Sequence, residues 1–308
     1  MKQLTRDAFS RARHYIMTRG REIDRNLFAY TFEGGEKNGV IGALRAYQNA
    51  DGGFGHALEP DLRTPASSAI ATQQAFDYLR DIEASASEPL VTSGIKYLLQ
   101  TFDAGLGVWA IIPPEVEAAP HAPWWSYADS AANFDGFRAN PTAALAGHLH
   151  YYASLVPVDF LDKITAQLLD HLSEMPDDNM NKHDLVCYLT LAESLRGANQ
   201  RIVLDKLARV VPGSVEYDQS KWVEYTLWPL AVAPGPESPL ASMLDRSAIE
   251  ANLDYEIEEQ LEDGSWPLAW SWEFVDEAAW TQAEQDWKGF HALRKLKVLK
   301  AYGRLEWQ

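Results

Sequence analysis

The pattern that most limits what this chain can fold into occurs once near each end. Gln48, Gly52 and Phe54 follow the spacing glutamine, three residues, glycine, one residue, aromatic, and Gln260, Gly264 and Trp266 repeat it. Both copies contain Asp-Gly, where the aspartate can hydrogen-bond backbone two residues on and glycine accepts a positive φ without a Cβ clash. Before the first copy, Val40, Ile41, Leu44 and Tyr47 fall at helical spacing, and after it Ile70, Ala71, Gln74, Ala75, Tyr78 and Leu79 resume that spacing. The pattern therefore reads as helix, held turn, helix. A looser copy runs through Gln100, Asp103, Gly105, Gly107 and Trp109, and a fragment appears as Asp135-Gly136-Phe137. Self-similar turns separated by helix pairs indicate a helical repeat array. In each turn the glutamine is expected to satisfy backbone groups at a helix end while the aromatic packs over the turn.

A glutamine and a Gly-x-aromatic at a helix end resemble the repeat of the terpenoid cyclase and protein prenyltransferase superfamily, which covers squalene-hopene cyclases and prenyltransferase β-subunits. The resemblance implies an all-α fold, an α/α toroid of helical hairpins in two rings around a central cavity. It also implies isoprenoid chemistry. The cyclases' Asp-x-Asp-Asp acid is absent, and Asp177-Asp178 follows Pro176 in what reads as a loop. Prenyltransferase β-subunits bind zinc through Asp, Cys and a later His. Asp184, Cys187 and His291 supply the residue types without the family's Asp-x-Cys spacing, and a buried structural cysteine is the alternative. No metal and no cofactor are expected.

Hydrophobic residues make up 46% of 308, enough for a large core, and no linker-like stretch divides the chain. One domain spanning 1–308 is expected. Lys and Arg number 27 against 44 Asp and Glu, giving a formal charge of −17, so a phosphate backbone would be repelled and no nucleic acid is expected as a partner. One cysteine excludes an intrachain disulfide framework; no signal peptide or transmembrane segment is evident, and a cytoplasmic location is expected.

About six hairpins can be read off. Their helices are expected at Thr5–Thr18 with Asp24–Phe32; the opening stretch, with Thr64 as N-cap and Pro65 at the first position of the next helix; and Pro89–Phe102 with Thr142–Leu155 after Asn140-Pro141. The series continues with Phe160–Met175 and Lys182–Arg196, Arg201–Val210 and Ser220–Val232, and Ala248–Leu261 with Thr281–Tyr302.

Chemistry is expected at the turns and at the N-terminal ends of the second helices, where helix dipoles favour anions. His56, Glu59 and Asp61 follow the first turn, and a carboxylate among aromatic rings would have its pKa raised, as a general acid needs. The structural alternative is that Glu59 and Asp61 pair with Arg63 or cap a helix. Asp184 is the further catalytic candidate. Arg63, Trp109, Trp124, Trp125, His183, Trp222, Trp266, Trp270 and Trp287 are the substrate-binding candidates, because 11 Trp, 13 Tyr and 11 Phe exceed what a helical core needs. Aromatic faces stabilise carbocations and also stack on sugars. Three functions stay open: acid-initiated isoprenoid chemistry, a glycosidase or lyase using paired carboxylates, and a noncatalytic toroid binding a small apolar or glycan ligand. The last helix carries Lys288, Arg294, Lys295, Lys297, Lys300 and Arg304 around an apolar stripe, which suits a solvated face or an anionic ligand. Oligomeric state is not readable.

Overall fold

A computed structural model describes residues 1–177 and 180–307. They form thirteen α-helices and short 3-10 turns, with no strand, only isolated bridges. In chain order these are α1 Arg6–Arg19, α2 Glu22–Phe32, α3 Lys37–Leu44, α4 Ala69–Asp81, α5 Pro89–Thr101, α6 Tyr127–Asn133 and α7 Thr142–Tyr151. They continue with α8 Val158–Glu174, α9 Lys182–Ser194, α10 Gly197–Ser214, α11 Pro229–Val232, α12 Arg246–Glu258 and α13 Glu277–Ala301. The fold is all-α. The chain divides into two compact units, one of residues 37–210 and one of residues 1–36 with 211–308.

In the unit of residues 37–210, α7 and α9 are the most intimately packed pair. Ala143, Ala144, Ala146 and Gly147 of α7 are all buried, so no side chain holds α9 away. A Cβ on Gly147 would lie 2.7 Å from the Thr190 carbonyl oxygen, so this approach requires glycine. Asn181 caps α9 by accepting from the N–H groups of His183 and Asp184.

In the other unit, α1 packs on α13, with Ala8, Ala12, Tyr15 and Ile16 buried on the first and Ala292, Leu293, Leu296 and Leu299 on the second. Thr5 and Asp276 cap them. Leu4 N–H donates to the Arg304 carbonyl at 2.8 Å and Glu306 N–H to the Leu4 carbonyl at 3.1 Å, which pins the two chain ends together.

Each unit contains one well-matched copy of the repeated turn, and the two copies agree bond for bond. Gln48 Nε2 donates to the carbonyls of Gly52 at 2.9 Å and of Leu90, in the first turn of α5, at 3.1 Å. Gln260 Nε2 donates to Gly264 at 3.2 Å and to Ala8, in the first turn of α1, at 2.9 Å. Asp51 and Asp263 accept from the N–H two residues on, both at 2.9 Å. Gly52 and Gly264 share φ 91°, and a Cβ there would meet Ser93 O at 2.4 Å and Arg11 O at 2.3 Å. Phe54 and Trp266 are fully buried over the turn. The looser copy keeps the turn and the aromatic: Gly107 N–H donates to the Asp103 carbonyl at 2.7 Å, and Trp109 is buried.

Some helix starts differ from the sequence reading. Thr64 does not cap α4; its hydroxyl accepts from Ala66 N–H in a local turn, and Ser68 caps the helix that begins at Ala69. The bonds of Asn49 to the Pro65 carbonyl and Ser67 hydroxyl hold this segment as loop. Pro141, not Asn140, precedes the first residue of α7. The helix expected over Ser220–Val232 is broken: a 3-10 turn at Gln219–Lys221 leads into irregular chain, and helix resumes at Pro229, whose ring cannot continue one from upstream. Asp177 pairs with Lys206 at 2.5 Å and Arg209 at 3.1 Å, while Asp178 lies outside the described residues.

Candidate functional site

The Glu59 to Arg63 segment forms a latch. Glu59 and Asp61 are both buried. Glu59 Oε2 accepts from Asp61 N–H at 2.6 Å and Oε1 from the Trp125 indole at 3.2 Å. Ala122 N–H donates to the Asp61 carbonyl and Arg63 N–H to the Pro120 carbonyl, at 2.9 and 3.0 Å, so the segment is laced to residues 120–125. The Arg63 guanidinium donates to the Pro60 carbonyl at 3.3 Å. His56 is exposed and its Nε2 hydrogen-bonds to Asn49 Oδ1 at 2.8 Å. Both Glu59 oxygens thus hold loop structure.

Three of the nominated tryptophans do similar work. Trp109 Nε1 donates to the Leu98 carbonyl at 2.7 Å, near the end of α5, and Trp266 Nε1 to the Glu256 carbonyl at 2.7 Å, near the end of α12. Trp222 Nε1 donates to the Glu216 carbonyl at 2.8 Å. All three are about 1% exposed or less. Trp124 is half-buried beside Trp125. A surface cleft of about 520 Å³ near the first turn is lined by Asp51, Glu115, Pro65 and Ser67 but has no aromatic wall.

A different group has the makings of an acid–base site. Asp184 and Tyr188 are four apart on α9 and share a face. The Tyr188 hydroxyl donates to the Leu168 carbonyl at 3.2 Å and lies 2.9 Å from His171 Nδ1 on α8. A carbonyl only accepts, so the hydroxyl hydrogen goes to Leu168 and Nδ1–H donates to the hydroxyl oxygen. That leaves Nε2 of neutral His171 as the basic nitrogen, 3.6 Å from Asp135 Oδ2. Burial, reinforced by Arg138, holds His171 below its ordinary pKa against the pull of Asp135. Asp135 itself pairs with Arg138 at 2.8 Å.

Asp184 accepts from the Asn181 amide at 2.6 Å. Burial, with the Asp135 charge adding to it, pushes its carboxyl up to about 6 despite that bond. The turn that supplies Asp135 is strained: Asp135, Gly136 and Phe137 have φ 46°, 60° and 65°, and two of these are not glycine. Phe134, just before it, stacks on Trp125 with centroids 5.4 Å apart and planes 10° from parallel. His183 lies at the surface of the same helix turn, its N–H on Asn181. Cys187 is buried, and its thiol is pushed up by burial. Among the described residues no group of three or more His, Cys, Asp or Glu could hold a metal ion.

In the other unit, Trp270 and Trp287 meet edge to face at 5.5 Å, and both contact His291, at 5.6 and 5.5 Å. Tyr225 lies 5.6 Å from Trp270 and Phe290 lies 5.5 Å from Trp287. The sequence offered Trp270 and Trp287 as ligand contacts and His291 only as a zinc ligand. Nothing in it marked His171, Tyr188 or Tyr225, or paired Asp135 with Asp184, because only tertiary packing brings these groups together.

No family model matches the chain, and no curated protein matches it. Among the described residues no helix is long and apolar enough to cross a membrane.

Proposed function

We propose that this chain is an acid–base enzyme of the isoprenoid cyclase and prenyltransferase type, with Asp184 as its proton donor. The observation that carries the reading is the setting of Asp184: buried, oriented by Asn181, and raised to about 6 by burial, so that a protonated fraction persists near neutrality. The two matched turns support the resemblance on which the substrate class rests. In this reading the Asp184 O–H bond breaks as a C–H bond forms from the alkene π pair. The resulting cation is met by the stacked Trp125 and Phe134 rings. His171 Nε2 accepts the proton lost from the cation, or from the water that captures it, and no net proton is consumed.

The test is incubation of the purified chain with squalene and geranylgeranyl substrates, with products followed by mass spectrometry. Turnover that falls at least about 100-fold in Asp184→Asn, and declines above pH 6 in the unaltered chain, supports the reading. Turnover that Asp184→Asn leaves intact, or no product from any isoprenoid, sinks it.

One observation favours a glycosidase instead: Asp135 is close enough to Asp184 for its charge to raise the latter's pKa, and glycoside hydrolysis needs two carboxyls about 5 to 10 Å apart. Release of nitrophenol from a panel of nitrophenyl glycosides, lost in both Asp184→Asn and Asp135→Asn, selects that reading.

A further inference from the structure

The aromatic corner of Tyr225, Trp270, Trp287, Phe290 and His291 contains an unmet polar requirement. Trp287 Nε1 and His291 Nε2 are both buried and have no hydrogen-bond partner among the described residues. Buried polar atoms of this kind are rare in folded proteins, and leaving one unmet costs about 1–3 kcal/mol. Here two of them sit on rings packed at 5.5 Å, one helical turn apart on α13.

The chemistry of the two atoms restricts what could satisfy them. An indole N–H only donates. His291 is neutral, since burial, with Lys295 and Arg294 beside it, lowers its pKa to about 3. Neutral Nε2 accepts when the ring proton sits on Nδ1. With the proton there, the group that accepts from Trp287 and donates to His291 at once is a hydroxyl, that of an alcohol or of water. A carboxylate or carbonyl would satisfy only the indole, and an ammonium only the imidazole. Arg294 lies over the Phe290 ring at 5.0 Å, so a cationic ligand would also meet like charge.

The remainder of the ligand is fixed by what surrounds the pair. Four ring contacts at 5.5 to 5.6 Å offer apolar faces and edges, and the two free polar atoms match one hydroxyl. A sugar would bring several further hydroxyls without free partners here, each carrying a desolvation penalty. Tyr225, which is 54% exposed, connects the corner to solvent.

We infer that this corner is a binding site for an apolar alcohol, whose single hydroxyl bridges Trp287 Nε1 and His291 Nε2 while its hydrocarbon body lies against Trp270, Phe290 and Tyr225. The site belongs to the unit of residues 1–36 and 211–308 and goes beyond the acid–base reading. It stands even where Asp184 carries no chemistry.

The test uses the full-length chain, labelled with ¹⁵N, and the indole N–H resonance of Trp287, identified by its absence in Trp287→Phe. Farnesol, farnesene and cellobiose are the probes. Farnesol is expected to shift that resonance downfield in a saturable way, with farnesene binding about tenfold more weakly for want of the hydroxyl. His291→Phe is expected to weaken farnesol binding by a similar factor. Equal binding of farnesol and farnesene, binding of cellobiose in place of farnesol, or no movement of the resonance with any probe each overturns the assignment. The farnesol and farnesene comparison needs no variant beyond the one that assigns the signal, and that variant's fold is checked by its thermal transition.

Discussion

Asn181 and Asp184 clasp each other across the first turn of α9. The Asn181 amide donates to the Asp184 carboxylate at 2.6 Å, and its Oδ1 accepts from the Asp184 N–H at 3.0 Å. The first bond favours the charged carboxylate and so pulls its pKa down. Burial pushes the other way and wins, with Asp135 adding to it.

That balance has a stability signature. Asp184 titrates at about 6 in the fold against an ordinary 3.8, so between these values the native chain binds the proton more tightly than the unfolded one. Stability from this group therefore falls as pH rises through the window, and the deficit is complete above 6. Asp184→Asn, which cannot ionise, is expected to stabilise the protein by about 2–3 kcal/mol at pH 8 and to change little at pH 4. Urea midpoints at the two pH values measure this. The same difference at both would contradict it.

The repeated turns predict a ranking among glycine variants. At Gly136 a methyl meets no atom within 4 Å, so Gly136→Ala is expected to cost only the left-handed backbone penalty of about 1–2 kcal/mol. At Gly52 and Gly264 the same penalty is joined by a backbone oxygen at 2.4 and 2.3 Å, which cannot step aside without moving α5 or α1. Gly52→Ala and Gly264→Ala are expected to exceed about 4 kcal/mol or to prevent folding. Thermal melts of the three variants test the order.

These turns were legible because their chemistry is local: Gln48 and Gly52, or Gln260 and Gly264, are four residues apart, and the spacing itself encodes the bond. Helix interiors were legible for the same reason, through the burial pattern of α1 and α13. The start of α4 was not, because the bonds from Asn49 to Pro65 and Ser67 hold as loop a Thr-Pro that reads as a helix start. The group proposed around Asp184 was half legible. Asp184 stood out at a helix N-terminus, but His171, Tyr188 and Asp135 come from α8, α9 and a strained turn that no sequence period links. Glu59 illustrates the converse: a carboxylate among aromatics looks like an acid in sequence, and its bonds to Trp125 and Asp61 N–H show a bracket.

Trp109 and Trp266 are expected to behave as braces. Trp109→Phe and Trp266→Phe keep the ring in place but remove the N–H that meets a carbonyl near the end of α5 or α12. Each should lower stability by about 1–3 kcal/mol and leave farnesol affinity at the Trp287 corner unchanged. Calorimetry and the indole titration measure the two effects separately. A loss of affinity without loss of stability would return either residue to the list of ligand contacts.

Arg304 makes a stricter test of how charge is held in the unit where the chain ends meet. Its guanidinium donates to the Lys2 carbonyl, to Glu250, and to Asp254 at 2.6 Å, and its side chain is 3% exposed while both carboxylates are 30% exposed. Burial alone would raise the Asp254 pKa, but the Lys2 N–H and Arg304 outweigh it and hold it below the ordinary value. That contribution to stability is present above the ordinary carboxylate range and lost as pH falls through the depressed pKa. The exposures make the pair of deletions unequal. Arg304→Met leaves two carboxylates that water can still reach, and should cost about 1–3 kcal/mol. Glu250→Gln with Asp254→Asn leaves a buried guanidinium with no counter-charge, and should cost about 3–5 kcal/mol. Chemical denaturation of the two variants at pH 7 decides the matter: if losing the arginine proves the more damaging change, the cation is not the desolvated partner and its role is to pack the Lys2 backbone.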